Sequence, residues 1–295
     1  MVHGDLGSVV SVSRFPVKSM QGEHVATAWL APAGLVGDRT YALIEVASGK
    51  VLSAKHPRIG SRLLSCHAEF VEPFLAGDAA PPVKISLPNG STVTSDDPHV
   101  DAVLSDYLGL LVSLQQTTAD VFFGEEQPSP SSGWGVETAR SSRPRAVVDA
   151  AGSAHSANLS PIPPGSFLDA FPISVLTTST LSKLGSLAPG SRFDRRRFRM
   201  NLMVDSPGEG FVEQEWLGRE IRIGEEVRIT VVIPDPRCVM TTLAQKDLPR
   251  DNGVLQTLDR HSRFRVGDGV YPCAGVYAAV KVQGEIREGD RLSEI

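Results

Sequence analysis

Short β-branched runs, each closed within a few residues by a turn, recur along this chain and hold it to a β-rich fold. Gly7 to Arg14 carries Val9, Val10 and Val12 and ends at Phe15-Pro16. His24 to Leu30 alternates loosely before Ala31-Pro32-Ala33-Gly34. Arg39 to Val46 is a strand, Ala47-Ser48-Gly49-Lys50 is its turn, and Val51-Leu52-Ser53 returns. Leu63 to Val71 and Val83 to Leu87 read as further strands. Pro88-Asn89-Gly90-Ser91 then carries Asn-Gly, the strongest short hairpin signal, before Thr92-Val93-Thr94. Short strands at this spacing point to a barrel or a sandwich.

Helices are few. Asp97 to Leu108 has Pro98 in its first turn and Val100, Val103, Leu104, Tyr107 and Leu108 on one face, with Gly109 as its stop. Leu110 to Gln116 returns to strand. From Ala119 to Pro164 the composition turns to Ser, Pro, Gly and Ala, and Gln127 to Gly133 has nothing to bury, the pattern of a lid or of disorder. The expected division is therefore 1–118, a 119–164 connector and 165–295. The second part opens with a strand at Pro172 to Leu176. A helix follows at Ser179 to Leu187, capped by Thr178 or Ser179 and broken at Pro189-Gly190. Asn201 to Val204, Ile221 to Ile223, Val227 to Ile233 and Gly275 to Gln283 are its later strands.

Hydrophobic residues are 41% of the 295, enough for a sizeable core. The net charge of −5 argues against broad binding to nucleic acid or anionic membranes. Three scattered cysteines, Cys66, Cys238 and Cys273, make no disulfide framework. No secretory leader pattern and no membrane-length apolar run is visible, so a soluble, cytoplasmic protein is expected.

Cys238 is the residue with the most chemical promise. It follows Ile229 to Ile233 and the pair Pro234 and Pro236, which are expected to end the strand and deliver the thiol into a loop. Arg237 beside it should favour the thiolate. Phosphate loops, nucleophile elbows, zincin helices and paired-cysteine metal spacings are all missing. What remains is cationic and hydroxyl groups in loops: Lys18-Ser19, Gly37-Asp38-Arg39, Thr177 to Thr180, the Arg195 to Arg199 cluster with Asn201, and Arg237. Together they suit an anion such as phosphate. Taken singly, each also suits solvated surface or an ion-pair network, and Cys238 alone also suits a small buried hydrophobe.

In order along the chain stand Pro16-Val17-Lys18-Ser19-x-x-Gly22, Gly37-Asp38-Arg39, Phe171 to Thr177, Arg197-Phe198-Arg199-x-Asn201, Arg237-Cys238-x-x-Thr241-Thr242 and Gly284-x-Ile286-Arg287-x-Gly289-Asp290. This combination resembles the MOSC proteins that carry an N-terminal MOSC-associated β-barrel, among them the mitochondrial amidoxime-reducing component and its bacterial relatives. The resemblance implies a β-rich α+β fold, an N-terminal β-barrel-like domain packed on a C-terminal MOSC β-barrel with the cofactor in the cleft between. It implies a molybdenum cofactor of the pterin-dithiolene type, with Cys238 as the metal's protein ligand and catalytic residue. Lys18, Ser19, Arg39, Arg199 and Asn201 would hold the pterin and its phosphate, with Thr177, Thr178 and Arg237 in the same site. Two departures stand out: Met200 where Pro is usual, and Cys273-Ala274 ahead of Gly275-Val276-Tyr277.

The implied activity is reduction of N-hydroxylated or N-oxide substrates. Electrons would come from separate partners, a flavoprotein reductase and a small heme or iron–sulfur carrier. Two alternatives stay open: a sulfur-transfer protein with a persulfide on Cys238, and a cofactor carrier without turnover.

Overall fold

The computed structural model describes residues 4–117 apart from 57 and 75, a two-stranded pair at 147–148 and 154–155, and residues 166–295. The rest of the Ser/Pro/Gly-rich connector expected at 119–164 lies outside the described residues. In chain order the strands are β1 Asp5–Arg14, β2 Glu23–Val25, β3 Thr27–Ala31, β4 Gly34–Leu35, β5 Tyr41–Glu45, β6 His67–Phe70, β7 Val83–Ser86, β8 Thr92–Thr94, β9 Val112–Gln116, β10 Val147–Val148 and β11 Ala154–His155. They continue as β12 Ile173–Thr177, β13 Leu202–Asp205, β14 Glu220–Ile223, β15 Val227–Pro236, β16 Arg263–Val266, β17 Gly269–Val282, β18 Gly284–Arg287 and β19 Arg291–Glu294. The α-helices are α1 Gly60–Ser65, α2 Val100–Leu108, α3 Thr178–Leu187 and α4 Asn252–His261.

The architecture is the expected β-rich α+β. Among the described residues, seven strands close a barrel in the order β12-β13-β1-β19-β14-β15-β17, with β17 returning to β12. β12 and β13 run parallel across the crossover through α3; every other barrel pair is antiparallel. The barrel is filled by its β-branched and aliphatic residues, including Val9, Val12, Ile173, Leu202, Ile221, Ile229, Val231 and Val276. In β1 the register shifts between Val9 and Ser11, so Val9 and Val12 both face inward despite their odd spacing, while Val10 is exposed.

The N-terminal half holds its own core under small sheets, β5-β9 and β6-β7-β8, backed by α1 and α2. Its strands are not confined to it. β1 is a stave of the barrel, and β18, from near the C-terminus, pairs with β3 from Gly284↔Leu30 to Arg287↔Thr27. Gly109 ends α2 with φ 65°, the left-handed stop expected of it.

Four readings change. Leu63 to Ser65 belong to α1, and the strand begins only at His67. Val51 makes an isolated bridge to Ile44 rather than a returning strand. The cap of α3 is Thr177, whose side chain accepts from Thr180 N, so the helix starts one residue early. β15 does not stop at its prolines. It runs through Pro236, and register shifts at Val231/Ile233 and Pro234/Pro236 let a strand without those two N–H donors stay paired to β17. The helix α4, with buried Val254 and Leu258, was not anticipated.

Candidate functional site

Five chain segments converge where the N-terminal core meets the barrel. After β1, Val17 and Met20 are fully buried in the N-terminal core and hold Lys18 and Ser19 between them. Lys18 N donates to Tyr41 O at 2.8 Å, and Ser19 Oγ accepts from Ala54 N at 2.9 Å. In the turn before β5, the Asp38 carboxylate accepts from Phe15 N at 2.7 Å and from Asn201 Nδ2 at 3.0 Å, and pairs with the Arg39 guanidinium. Asn201 in turn accepts from Ser174 Oγ of β12 at 2.9 Å. Asp38 and Asn201 thus tie the N-terminal loops to two barrel strands. The fifth segment is the end of β15 and the residue after it, Asp235 and Arg237.

These segments line a pocket containing Lys18, Ser19, Arg39, Arg199, Asn201 and Arg237, six of the nine site residues expected from the sequence. The guanidiniums of Arg39 and Arg199 lie over the Phe15 ring at 4.8 and 4.3 Å. Arg199 also donates to Met20 O. Among the described residues no carboxylate pairs with it. Burial, and then the neighbouring Arg39, lower its pKa to about 9. For Arg39 burial also works against the charge, but Asp38 and Asp169 outweigh it and raise the pKa. Lys18 Nζ donates to Phe167 O at 2.8 Å and to Asp169 Oδ1 at 2.6 Å. Burial pulls the Asp169 pKa up, yet Lys18, Lys55 and Arg39 together hold it well below the carboxylate range.

Arg237 is clamped by the barrel. Its Nε donates to Ala274 O at 2.9 Å and Nη1 to Phe198 O at 2.9 Å, while Nη2 lies 2.5 Å from the Asp235 carboxylate. Neither Asp235 oxygen has a well-formed hydrogen bond. Burial raises its pKa to about 7 against the opposing pull of Arg237 and Tyr277.

The remaining three expected residues are not among the lining residues. Thr177 turns away from the pocket to donate to buried Glu213 at 2.6 Å, and half-buried Thr178 donates to Asp205 at 2.8 Å, so neither contributes to the lining. Cys238 is half-buried, between lining residues Arg237 and Met240. Its thiol pKa is raised, not lowered as its neighbour suggested: burial outweighs Lys55 and Arg237, and Asp169 adds to the rise. Of the arginine cluster, only Arg199 reaches the pocket. Arg196 forms the anticipated surface ion pairs with Asp194 and Asp247. Arg197 is fully buried and donates to Thr241 O, Leu243 O and Pro249 O, fixing the loop that follows Cys238.

Sequence reasoning missed Asp169, Phe15, Ser174 and Tyr277 as lining or supporting residues. Asp38 was in view within Gly37-Asp38-Arg39, but its hydrogen-bond and ion-pair roles were not. Phe15 carried a readable signal, an aromatic directly before the Lys18 loop. Asp169 carried none, since it follows the compositionally plain connector.

A buried cluster of cations, with Arg199 lacking a carboxylate, suits a phosphate-bearing ligand, and the Cys238 thiol beside it suits a soft metal. The donor set therefore fits a phosphorylated pterin with molybdenum. The space does not yet fit it. The cavity measures about 40 Å³, room for a few waters at most. Among the described residues no three His, Cys, Asp or Glu side chains gather into a metal site.

Residues 163–293 match the family model of the MOSC domain, and residues 6–95 match that of the MOSC N-terminal beta barrel domain. No curated protein sequence matches the chain. Among solved structures, the YuaD protein from Bacillus subtilis aligns over 99% of this chain and 98% of its own at 8% identity, TM-score 0.45. YiiM from Geobacillus stearothermophilus aligns over 42% of this chain and 54% of its own at 20% identity, TM-score 0.29.

Proposed function

This chain is a MOSC-domain protein with the MOSC N-terminal β-barrel domain ahead of it, and from that premise we propose that it is a molybdenum-cofactor-dependent oxidoreductase acting on N-hydroxylated or N-oxide compounds. One observation carries the reading. Lys18, Ser19 and Arg39 from one half and Arg199, Asn201 and Arg237 from the other line one buried pocket, with Cys238 beside it.

When bound, the cofactor supplies two-electron oxo chemistry. The protein's part is to hold and shield it. Lys18, Arg39 and Arg199 offer charge to the phosphate, and the Phe15 ring keeps two guanidiniums in place. Cys238 offers a thiolate once a metal repays the cost of ionising a buried thiol. Overall, the N–O bond breaks and its oxygen leaves as water at the expense of two electrons and two protons; an N-hydroxylated nitrogen gains a hydrogen in its place, and an N-oxide nitrogen regains its lone pair. Asp235 lines the pocket, and burial pushes its carboxyl up to about 7, so it can hold and release a proton there. The electrons are assigned to separate proteins, a flavoprotein with a heme or iron–sulfur carrier.

The test is elemental analysis and pterin fluorescence of protein made in a host that synthesises the cofactor. Near-stoichiometric molybdenum that falls away in Cys238→Ala is expected, followed by turnover of N-hydroxylated substrates. A cyanolysable sulfur on Cys238 without metal would replace this reading with persulfide transfer. Cofactor bound without turnover would replace it with a carrier.

A further inference from the structure

We propose that Asp169 is a built-in occupant of the anion subsite: its carboxylate sits on Lys18 where a phosphate monoester would sit, and Leu168 to Phe171 must withdraw before that ligand can bind. The identity of the ligand rests on the reading above; the competition for Lys18 rests on the ion pair itself.

The Lys18 side chain is only 5% exposed, yet Asp169 is 36% exposed, so the carboxylate reaches inward from the solvent side. A second cation, Lys55, stands 3.5 Å from the same oxygen. Three fastenings of this stretch reach Lys18 and Arg39. Phe167 O accepts from Lys18 at 2.8 Å, Phe167 N donates to Arg39 O at 2.9 Å, and Asp169 pairs with Lys18. Leu168, Asp169, Ala170 and Phe171 also form a continuous part of the lining, and the Phe171 ring lies 5.7 Å from that of Tyr277. With them in place the cavity is about 40 Å³. A phosphate arriving at Lys18 therefore meets a carboxylate already there, and a ligand of pterin size meets a cavity too small to hold it. Exchange is electrostatically matched: Lys18 gives up one anion and takes another, while the released carboxylate returns to water at little cost.

The test measures affinity for inorganic phosphate by calorimetry on the full chain, with melting temperatures as the folding control. Asp169→Asn keeps the shape and removes the charge, and should bind phosphate roughly tenfold more tightly than wild type. Adding Lys18→Met should abolish that gain. In wild type, phosphate should speed amide hydrogen exchange across residues 166–171. Equal or weaker phosphate binding by Asp169→Asn would overturn the proposal. So would a gain that survives Lys18→Met, or exchange that is unchanged or slowed by phosphate. Molybdenum content is recorded in parallel. Metal retained by wild type while these tests fail sinks only the occupant idea; phosphate exchange without metal sinks only the cofactor reading.

Discussion

Ser19 at φ 68°, Arg39 at φ 50° and Arg199 at φ 53° hold left-handed backbone, a region non-glycine residues rarely enter, and all three line the pocket. Such strain persists where surrounding bonds over-determine it, here the bonds of Arg39 N to Phe15 O and Ser19 Oγ to Ala54 N. Arg199→Gly and Arg199→Ala both delete the guanidinium, but only glycine relieves the backbone. The glycine variant should be the more stable by roughly 0.5–1 kcal/mol in urea unfolding, and both should lose molybdenum. Asp235 gives a pH signature. Its folded pKa of about 7 lies above the usual carboxylate value, so the folded state keeps a proton that the unfolded chain has released. The contribution is full below about pH 4 and is lost as pH rises toward 7. The stability of Asp235→Asn relative to wild type should therefore improve across that window. A difference independent of pH would mean the carboxyl is ionised throughout. At this scale the cations were legible because charged residues in Gly- and Pro-bearing loops are conspicuous. Their partners were not: that Asp169 meets Lys18, or that burial outweighs Arg237 at the Cys238 thiol, depends on residues distant in sequence.

The strands carry the site by where they bend. β17 crosses the barrel past Gly275, whose φ is 80° and whose amide donates to Glu213 at 3.1 Å. A Cβ there would stand 2.5 Å from both Val175 O and the Met200 methyl. Thr177 and Thr180 bond the same Glu213 carboxylate, so β12, α3 and β17 meet on one buried acid. Gly275→Ala combines a backbone clash with a forbidden φ and should cost more than about 2 kcal/mol, lowering the urea midpoint and loosening Asp235 and Arg237 on the adjoining strand. Most strands were legible because alternation and turn residues are local signals. The run of β15 through Pro234 and Pro236 was not, since bulges opposite β17 tolerate prolines that a flat strand would reject. Thr177, which the resemblance places in the cofactor site, caps α3 and donates to Glu213.

Across the whole molecule the pocket exists because the two halves exchange strands. β1 lies between β13 and β19, pairing Val9 with Val204 and Gly7 with Leu292, and it runs directly into the Lys18 loop. Without β1 the barrel is left with two unpaired edges and a core lacking Val9 and Val12. β18 adds the reverse tie by completing a sheet with β3. A division at the Ser/Pro/Gly-rich connector is what composition suggests. Strand exchange is invisible to it, because a strand's partner is set by long-range closure and not by its own pattern. A fragment of residues 163–295 should therefore fail to unfold cooperatively by heat or urea, despite spanning the whole matched MOSC segment. Supplied in trans with residues 1–118, it should regain a cooperative transition and a stoichiometric complex in sedimentation. An isolated fragment that melts sharply would mean that the barrel closes without β1. Lys18 and Arg39 would then be carried on a separable module, and the pocket would be an interface between domains instead of a product of one shared sheet.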